Sequence, residues 1–136
     1  MPSLQLDVPT RLEVATKRLL AKRFGLVYAT TMDADLNLVT VSIHDLGEGS
    51  VWRCSADEPH PHSLIMCDVR RGRSVETRAA LARQLIEICN EVLGLDPRSI
   101  KVEFTQHSGD EMFHPHLGGF NTEWDADESG GGGRSR

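Results

Sequence analysis

Long apolar runs are missing from this chain. No stretch of its 136 residues approaches the ~18 consecutive apolar side chains of a membrane span. The first fifteen residues carry Asp7, Pro9, Arg11 and Glu13, so they hold no apolar signal-peptide core. Excess positive charge is also lacking: 15 Lys and Arg stand against 20 Asp and Glu, a net charge of −5. That balance argues against a nucleic-acid binder held by phosphate contacts. Cysteine is scarce, with Cys54, Cys67 and Cys89 forming an odd number without C-x-x-C spacing. These read as reduced, buried and inert residues of a cytoplasmic protein, not as a disulfide framework. What is present is ordinary for one globular domain: 39% hydrophobic and 26% charged residues.

Period-two alternation predicts strands over 2–8, 38–44, 63–69 and 99–105. Helical spacing of Leu12, Ala15, Leu19, Leu20 and Phe24 predicts a helix over 11–28, with Thr10 and Glu13 as a capping box. A second helix of about 20 residues opens at Ser74, with Leu81, Leu85, Ile88, Cys89 and Val92 on one face, and stops at Gly94. A short strand at 50–54 and a loop at 55–62 separate the halves. A short hairpin is expected within 108–124. Residues 125–136 include four consecutive glycines and read as a disordered tail, leaving one domain over 1–124.

An internal repeat organises these elements. Shifted by 61 residues, the chain aligns with itself without a gap. Asp7-Val8 falls on Asp68-Val69, Val14 on Val75, Thr16 on Thr77, Leu20-Ala21 on Leu81-Ala82, Asp35 on Asp96 and Val41 on Val102. Each half, about 2–45 and 63–106, therefore reads strand–helix–strand, with a crossover long enough for a right-handed parallel βαβ unit. The fold class is α/β: a four-stranded sheet with two helices on one face. The repeats are expected to run parallel, with the end of the third strand beside Pro2. Val39, Val41, Ile43, Ile100, Val102 and Phe104 are expected on the uncovered face, where another subunit would shield them.

Two βαβ repeats opened by Met1-Pro2, with Arg70-Arg71-Gly72-Arg73-Ser74 between strand and helix, resemble the tautomerase superfamily. This group includes 4-oxalocrotonate tautomerase, macrophage migration inhibitory factor, malonate semialdehyde decarboxylase and cis-3-chloroacrylic acid dehalogenase. The resemblance covers residues 2–124. It implies a homotrimer, removal of Met1, and catalysis by the exposed amine of Pro2 without a cofactor. It implies a small carboxylate substrate, bound by Arg70 and Arg73, and a keto–enol tautomerase or isomerase activity. Proline is small enough to permit Met1 removal, and its secondary amine has an ordinary pKa of about 7.7–8.0. An apolar pocket or nearby arginines would lower that value and give a base poised near neutral pH. A guanidinium can grip the substrate carboxylate bidentately and steady an enolate. Arg71 points to the opposite strand face from Arg70 and belongs to a solvated turn.

The same resemblance marks departures. At the positions where the dehalogenase branch has a helix histidine, a strand tyrosine and a water-activating glutamate, this chain has Tyr28, Glu103 and His114. None keeps the residue type, which argues against dehalogenation or hydration by that route. For decarboxylation, Asp35 is close to the required position, but the register favours Leu36. Simple tautomerisation demands least; a non-catalytic binding trimer is the alternative from another class. The pairs His60-Pro61-His62 and His114-Pro115-His116 have metal-ligand spacing on a strand, but their prolines argue against regular strands, and no metal is expected.

Overall fold

A computed structural model describes residues 2–115 and 119–120. The expected tail at 125–136 and most of the second HxH pair's surroundings lie outside these residues. The elements run β1 (Ser3–Val8), α1 (Val14–Met32), β2 (Thr40–Asp45), β3 (Trp52–Arg53), β4 (His60–Pro61), β5 (Ser63–Arg70), α2 (Val75–Leu93), β6 (Ile100–His107), β7 (Phe113–His114) and β8 (Gly119–Phe120). Four strands form one sheet in the order β2-β1-β5-β6. Within each repeat the pairing is parallel, β1 with β2 and β5 with β6. Both helices cover one face, as the two βαβ units require. No described helix is long and apolar enough to cross a membrane.

The repeats dock antiparallel, not parallel as expected: β1 meets β5 with Ser3 opposite Asp68 and Asp7 opposite Leu64. A parallel docking would carry Pro2 toward Ser63; the antiparallel one carries it to the other end of β5, where Arg70 stands.

The apolar face also differs from the expectation. Leu4 pairs with Val41 and Leu6 with Ile43, while Ile65 pairs with Val102 and Cys67 with Phe104. Side chains directly opposite in register share a face, so Val41, Ile43, Val102 and Phe104 lie on the helix side. There they pack against a core of Leu4, Leu6, Val8, Leu20, Phe24, Ile65, Val69, Leu81 and Leu85. The uncovered face is instead polar, carrying Gln5, Asp7, Ser42, His44, Asp68, Glu103 and Thr105. Alternation in sequence separates two faces but does not say which one the helices take.

Local chemistry sets the helix ends. Ser74 caps α2 by accepting the Thr77 N–H at 3.1 Å, and Gly94 stops it in the left-handed region at φ 71°. The Thr10–Glu13 capping box does not form. Helix α1 begins at Val14 after an uncapped Glu13, and the Leu12 N–H is taken by the Asp45 carboxylate at 3.1 Å. Leu19 is exposed, and the buried stripe of α1 is Leu20, Phe24, Gly25, Tyr28 and Met32. The repeated aspartates Asp35 and Asp96 have one structural task each. Both accept a backbone N–H two residues on, from Asn37 and Arg98 at 2.9 Å, and open a 3-10 turn.

Candidate active site

Pro2 stands at the start of β1, buried, with its carbonyl accepting the Thr40 N–H at 3.1 Å. It shares the helix side of the sheet with Leu4, because residues two apart on a strand point the same way. Continuing the antiparallel register past Ser3–Asp68 sets Pro2 opposite Val69, one residue from Arg70. Arg70 ends β5 and is only 3% exposed. A guanidinium is rarely so buried, and one that is ordinarily meets negative charge or hydrogen bonds.

After Arg70 the chain turns sharply. The Arg71 N–H donates to the His107 carbonyl at 2.7 Å, extending the sheet by one bond, while its guanidinium lies on the exposed rim beside Gln106. Gly72 then adopts φ 122°, a conformation side chains disfavour. That turn sends Arg73 inward to 7% exposure. Its Nε and Nη2 both donate to the Met32 carbonyl, at 3.1 and 2.7 Å. Met32 is the last residue of α1, so Arg73 clamps the helix end to the β5–α2 turn. The edge of the guanidinium best suited to a side-on carboxylate grip is thus engaged by backbone.

Tyr28 lies one turn before that helix end, 1% exposed, in the field of Arg73, Cys67 and Arg70. Burial pushes its phenol well above the ordinary tyrosine range, against the pull of Arg73. Tyr28 therefore stays protonated and is a hydrogen-bond donor, not a base. Burial alone pushes the Cys89 thiol up to about 12, and burial with Asp68 nearby does the same for Cys67. Cys54, expected to be buried, is exposed.

Pro2, Arg70, Arg73 and Tyr28 thus gather at one end of the sheet. Glu103 does not join them. It stands on the polar face two strands away, in line with Met66 and Gln5, with its carboxylate 2.9 Å from Lys101 Nζ. His114 stands on a separate two-stranded ribbon, paired with Gly119. The His60–Pro61 segment forms a second ribbon with Trp52 and Arg53. Among the described residues no three His, Cys, Asp or Glu side chains converge as a metal site. A cavity of about 540 Å³, lined by Trp52, Arg53, His62, Leu64, Arg98 and Lys101, lies at the opposite end of β5 from Arg70.

The fold so defined is that of the tautomerase superfamily. No known family model matches the sequence, and no curated protein resembles it; the likeness is carried by solved structures. A fused 4-OT described as a wild-type symmetric trimer superimposes with a TM-score of 0.75 at 22% identity, over 88% of this chain and 95% of that one. Pt0534, solved as inactivated by 2-oxo-3-pentynoate, gives 0.74 at 22% identity, over 89% and 96%. A member of the cis-3-chloroacrylic acid dehalogenase family gives 0.73 at 23% identity, over 82% and 79%.

Proposed function

We propose that this protein is a cofactor-free tautomerase. The amine of Pro2, exposed by removal of Met1, acts as general base on a small 2-keto or enol carboxylate, within a homotrimer. The observation that supports the reading is the antiparallel β1–β5 register, which sets Pro2 at the end of β5 that carries the buried Arg70. Arg70 holds the substrate carboxylate. The neutral amine takes a proton from one atom of the substrate and returns it to another, and the guanidinium and the protonated Tyr28 steady the enolate between the two transfers. Burial and a neighbouring cation both disfavour the charged form of an amine, which suits Pro2 to the part of a base. Arg73 acts at one remove, by fixing the helix end that carries Tyr28. Hydration and decarboxylation fit less well: Glu103 is tied to Lys101 on the far face, and Asp35 caps a turn. The trimeric 4-OT supports assembly, and the absence of a membrane-spanning helix among the described residues is consistent with a cytoplasmic protein.

The test is ketonisation of phenylenolpyruvate, followed by ultraviolet absorbance. Pro2→Ala should lower kcat/KM by more than about a hundredfold. Arg70→Ala should lower it ten- to a hundredfold, the loss of one charged hydrogen bond at roughly 1.5–3 kcal/mol. The pH profile of kcat/KM should rise as the amine loses its proton, and that limb should be lost in Pro2→Ala. 2-Oxo-3-pentynoate, an alkyne conjugated to a ketone, should label the Pro2 peptide of the Met1-processed protein. Turnover that survives both substitutions undiminished refutes the mechanism, and a wild-type protein without turnover leaves a binding trimer.

A further inference from the structure

We infer that the cavity at the Ser63 end of the sheet is a second binding site, which holds a small aromatic carboxylate without converting it. Two adjoining hollows of about 540 and 500 Å³ share Arg53, His62 and Arg98 as walls. Trp52 and Lys101 complete the larger one. Three cationic side chains thus border one opening, in a chain whose net charge is −5. Hollows of this size suit a small organic ligand.

The repeat explains where the cavity lies. Antiparallel docking in the order β2-β1-β5-β6 relates the two βαβ units by an approximate two-fold axis through the sheet, between β1 and β5. Such an axis keeps each face of the sheet on its own side and exchanges the two ends. Under the 61-residue shift, Leu64 opposite Lys101 is the image of Ser3 opposite Thr40, beside Pro2. The ribbon strand Trp52–Arg53 is likewise the image of Phe113–His114. The cavity is therefore a feature of the sheet end, as the Pro2 site is. A trimer that shields the polar face and still admits substrate at Pro2 offers the same access here, because the frame is the same.

The charges are not inherited with the frame. Under the shift Arg53, Arg98 and Lys101 fall on His114, Asn37 and Thr40, while Arg70 and Arg73 fall on Pro9 and Leu12. Each end thus carries its own cations, on different positions of one scaffold. Packing common to both repeats does not require that. Arg98 is 3.2 Å from Asp96 and Lys101 is 2.9 Å from Glu103, but all four side chains are largely exposed, so the cations can turn to a ligand at little cost. Arg53 has no ion-pair partner among the described residues. Burial, and then the charges of Arg53 and Lys101, hold the His62 imidazole below its ordinary range, so it stands in the cavity wall neutral, in a positive field.

The ligand class follows from the walls. Arg53 and Arg98 present planar forks that match the two oxygens of a carboxylate. Trp52 is 51% exposed, and its Nε1–H donates to the Gly49 carbonyl at 2.9 Å. The indole is thus held in place with its one donor already used, and what it offers a ligand is a flat apolar face for stacking. Ser63 itself is buried in the packing, and its nitrogen lies within the chain. No amine meets the bound acid, which is held and not converted.

The probe is 2-naphthoate, a flat carboxylate that cannot enolise, titrated into the isotope-labelled full chain. The readout is the indole N–H resonance of Trp52, assigned by its loss in Trp52→Phe. We expect saturable shifts in wild type and equally in Arg70→Ala. Affinity should fall at least about tenfold in Arg53→Gln/Arg98→Gln and severalfold in Arg53→Gln alone, which changes one exposed side chain. 2-Naphthylmethanol, with the ring but not the charge, should not saturate the site over the same range. Circular dichroism and light scattering check the fold and assembly of each variant. A Trp52 signal unmoved at about 10 mM probe, or shifts that persist undiminished in both arginine variants, overturn the inference. Shifts lost in Arg70→Ala alone, or reproduced by the alcohol, overturn it too. The readout needs no turnover, so it stands or falls apart from the tautomerase reading.

Discussion

Replacing Arg73 by alanine separates a structural clamp from a substrate grip. In the structure two N–H groups of one cation converge on the Met32 carbonyl, and both residues are buried. A hydrogen bond to a charged group contributes about 1.5–3 kcal/mol, and truncation also leaves a buried carbonyl unpaired and a space the size of a guanidinium. The expected loss is about 2–4 kcal/mol, a large share of the 5–15 kcal/mol typical of a domain. With about 3–6 °C lost per kcal/mol at this length, the melting temperature should fall by roughly 6–24 °C. Arg73→Lys keeps one donor and should recover part of it. Urea unfolding at one fixed protomer concentration is the appropriate assay, because assembly makes stability concentration-dependent. Phenylenolpyruvate kinetics on the surviving folded protein should show a smaller effect than Arg70→Ala. An Arg73→Ala protein that unfolds within 0.5 kcal/mol of wild type but needs about tenfold more substrate would refute the clamp and make Arg73 a carboxylate ligand.

Two further outcomes are expected, one from the geometry and one from the proposed assembly. The Leu12 N–H, and then Lys17 at 3.4 Å, hold the Asp45 carboxyl below its ordinary range. A depressed folded pKa stabilises the fold above the unfolded value of about 3.9 and loses that contribution as pH falls through the folded value. The urea midpoint of Asp45→Asn should therefore trail wild type at pH 7, and the gap should close below about pH 4; a gap that persists undiminished at low pH counts against this assignment. Light scattering should find a particle of about three times the 15.1 kDa chain, and a stable single-chain species at micromolar concentration would rule the trimer out.

Much of the scaffold was legible because its signals are local. The alternating strands, the Ser74 cap and the Gly94 stop depend on residues within one turn of each other. The end of α1 was not, because Asp33 adopts the left-handed conformation at φ 53° without the glycine that usually announces it. Pro2 and Arg70 were suggested by the family pattern, but the register that sets them at one end of the sheet depends on how two repeats dock, which no single repeat encodes. The bond from Arg73 to Met32 was hidden for a similar reason: its acceptor lies 41 residues away, and an arginine in a turn looks the same whether it faces a ligand or a backbone carbonyl.

The duplicated architecture has a consequence for how many proton-transfer sites one chain can hold. A shift of 61 residues carries Pro2 onto Ser63, at the other end of the sheet, and carries Arg70 and Arg73 back onto Pro9 and Leu12. Ser63 is buried and follows His62, so its nitrogen is a peptide amide with no basic lone pair. The Leu12 N–H is already bound to Asp45. Copying a strand–helix–strand unit therefore doubles the frame but not the chemistry. Only a chain terminus can present a secondary amine, and a fused chain has one such terminus for every two units. Under the proposed mechanism a trimer would work with three bases, while its three other strand starts are free to serve packing alone.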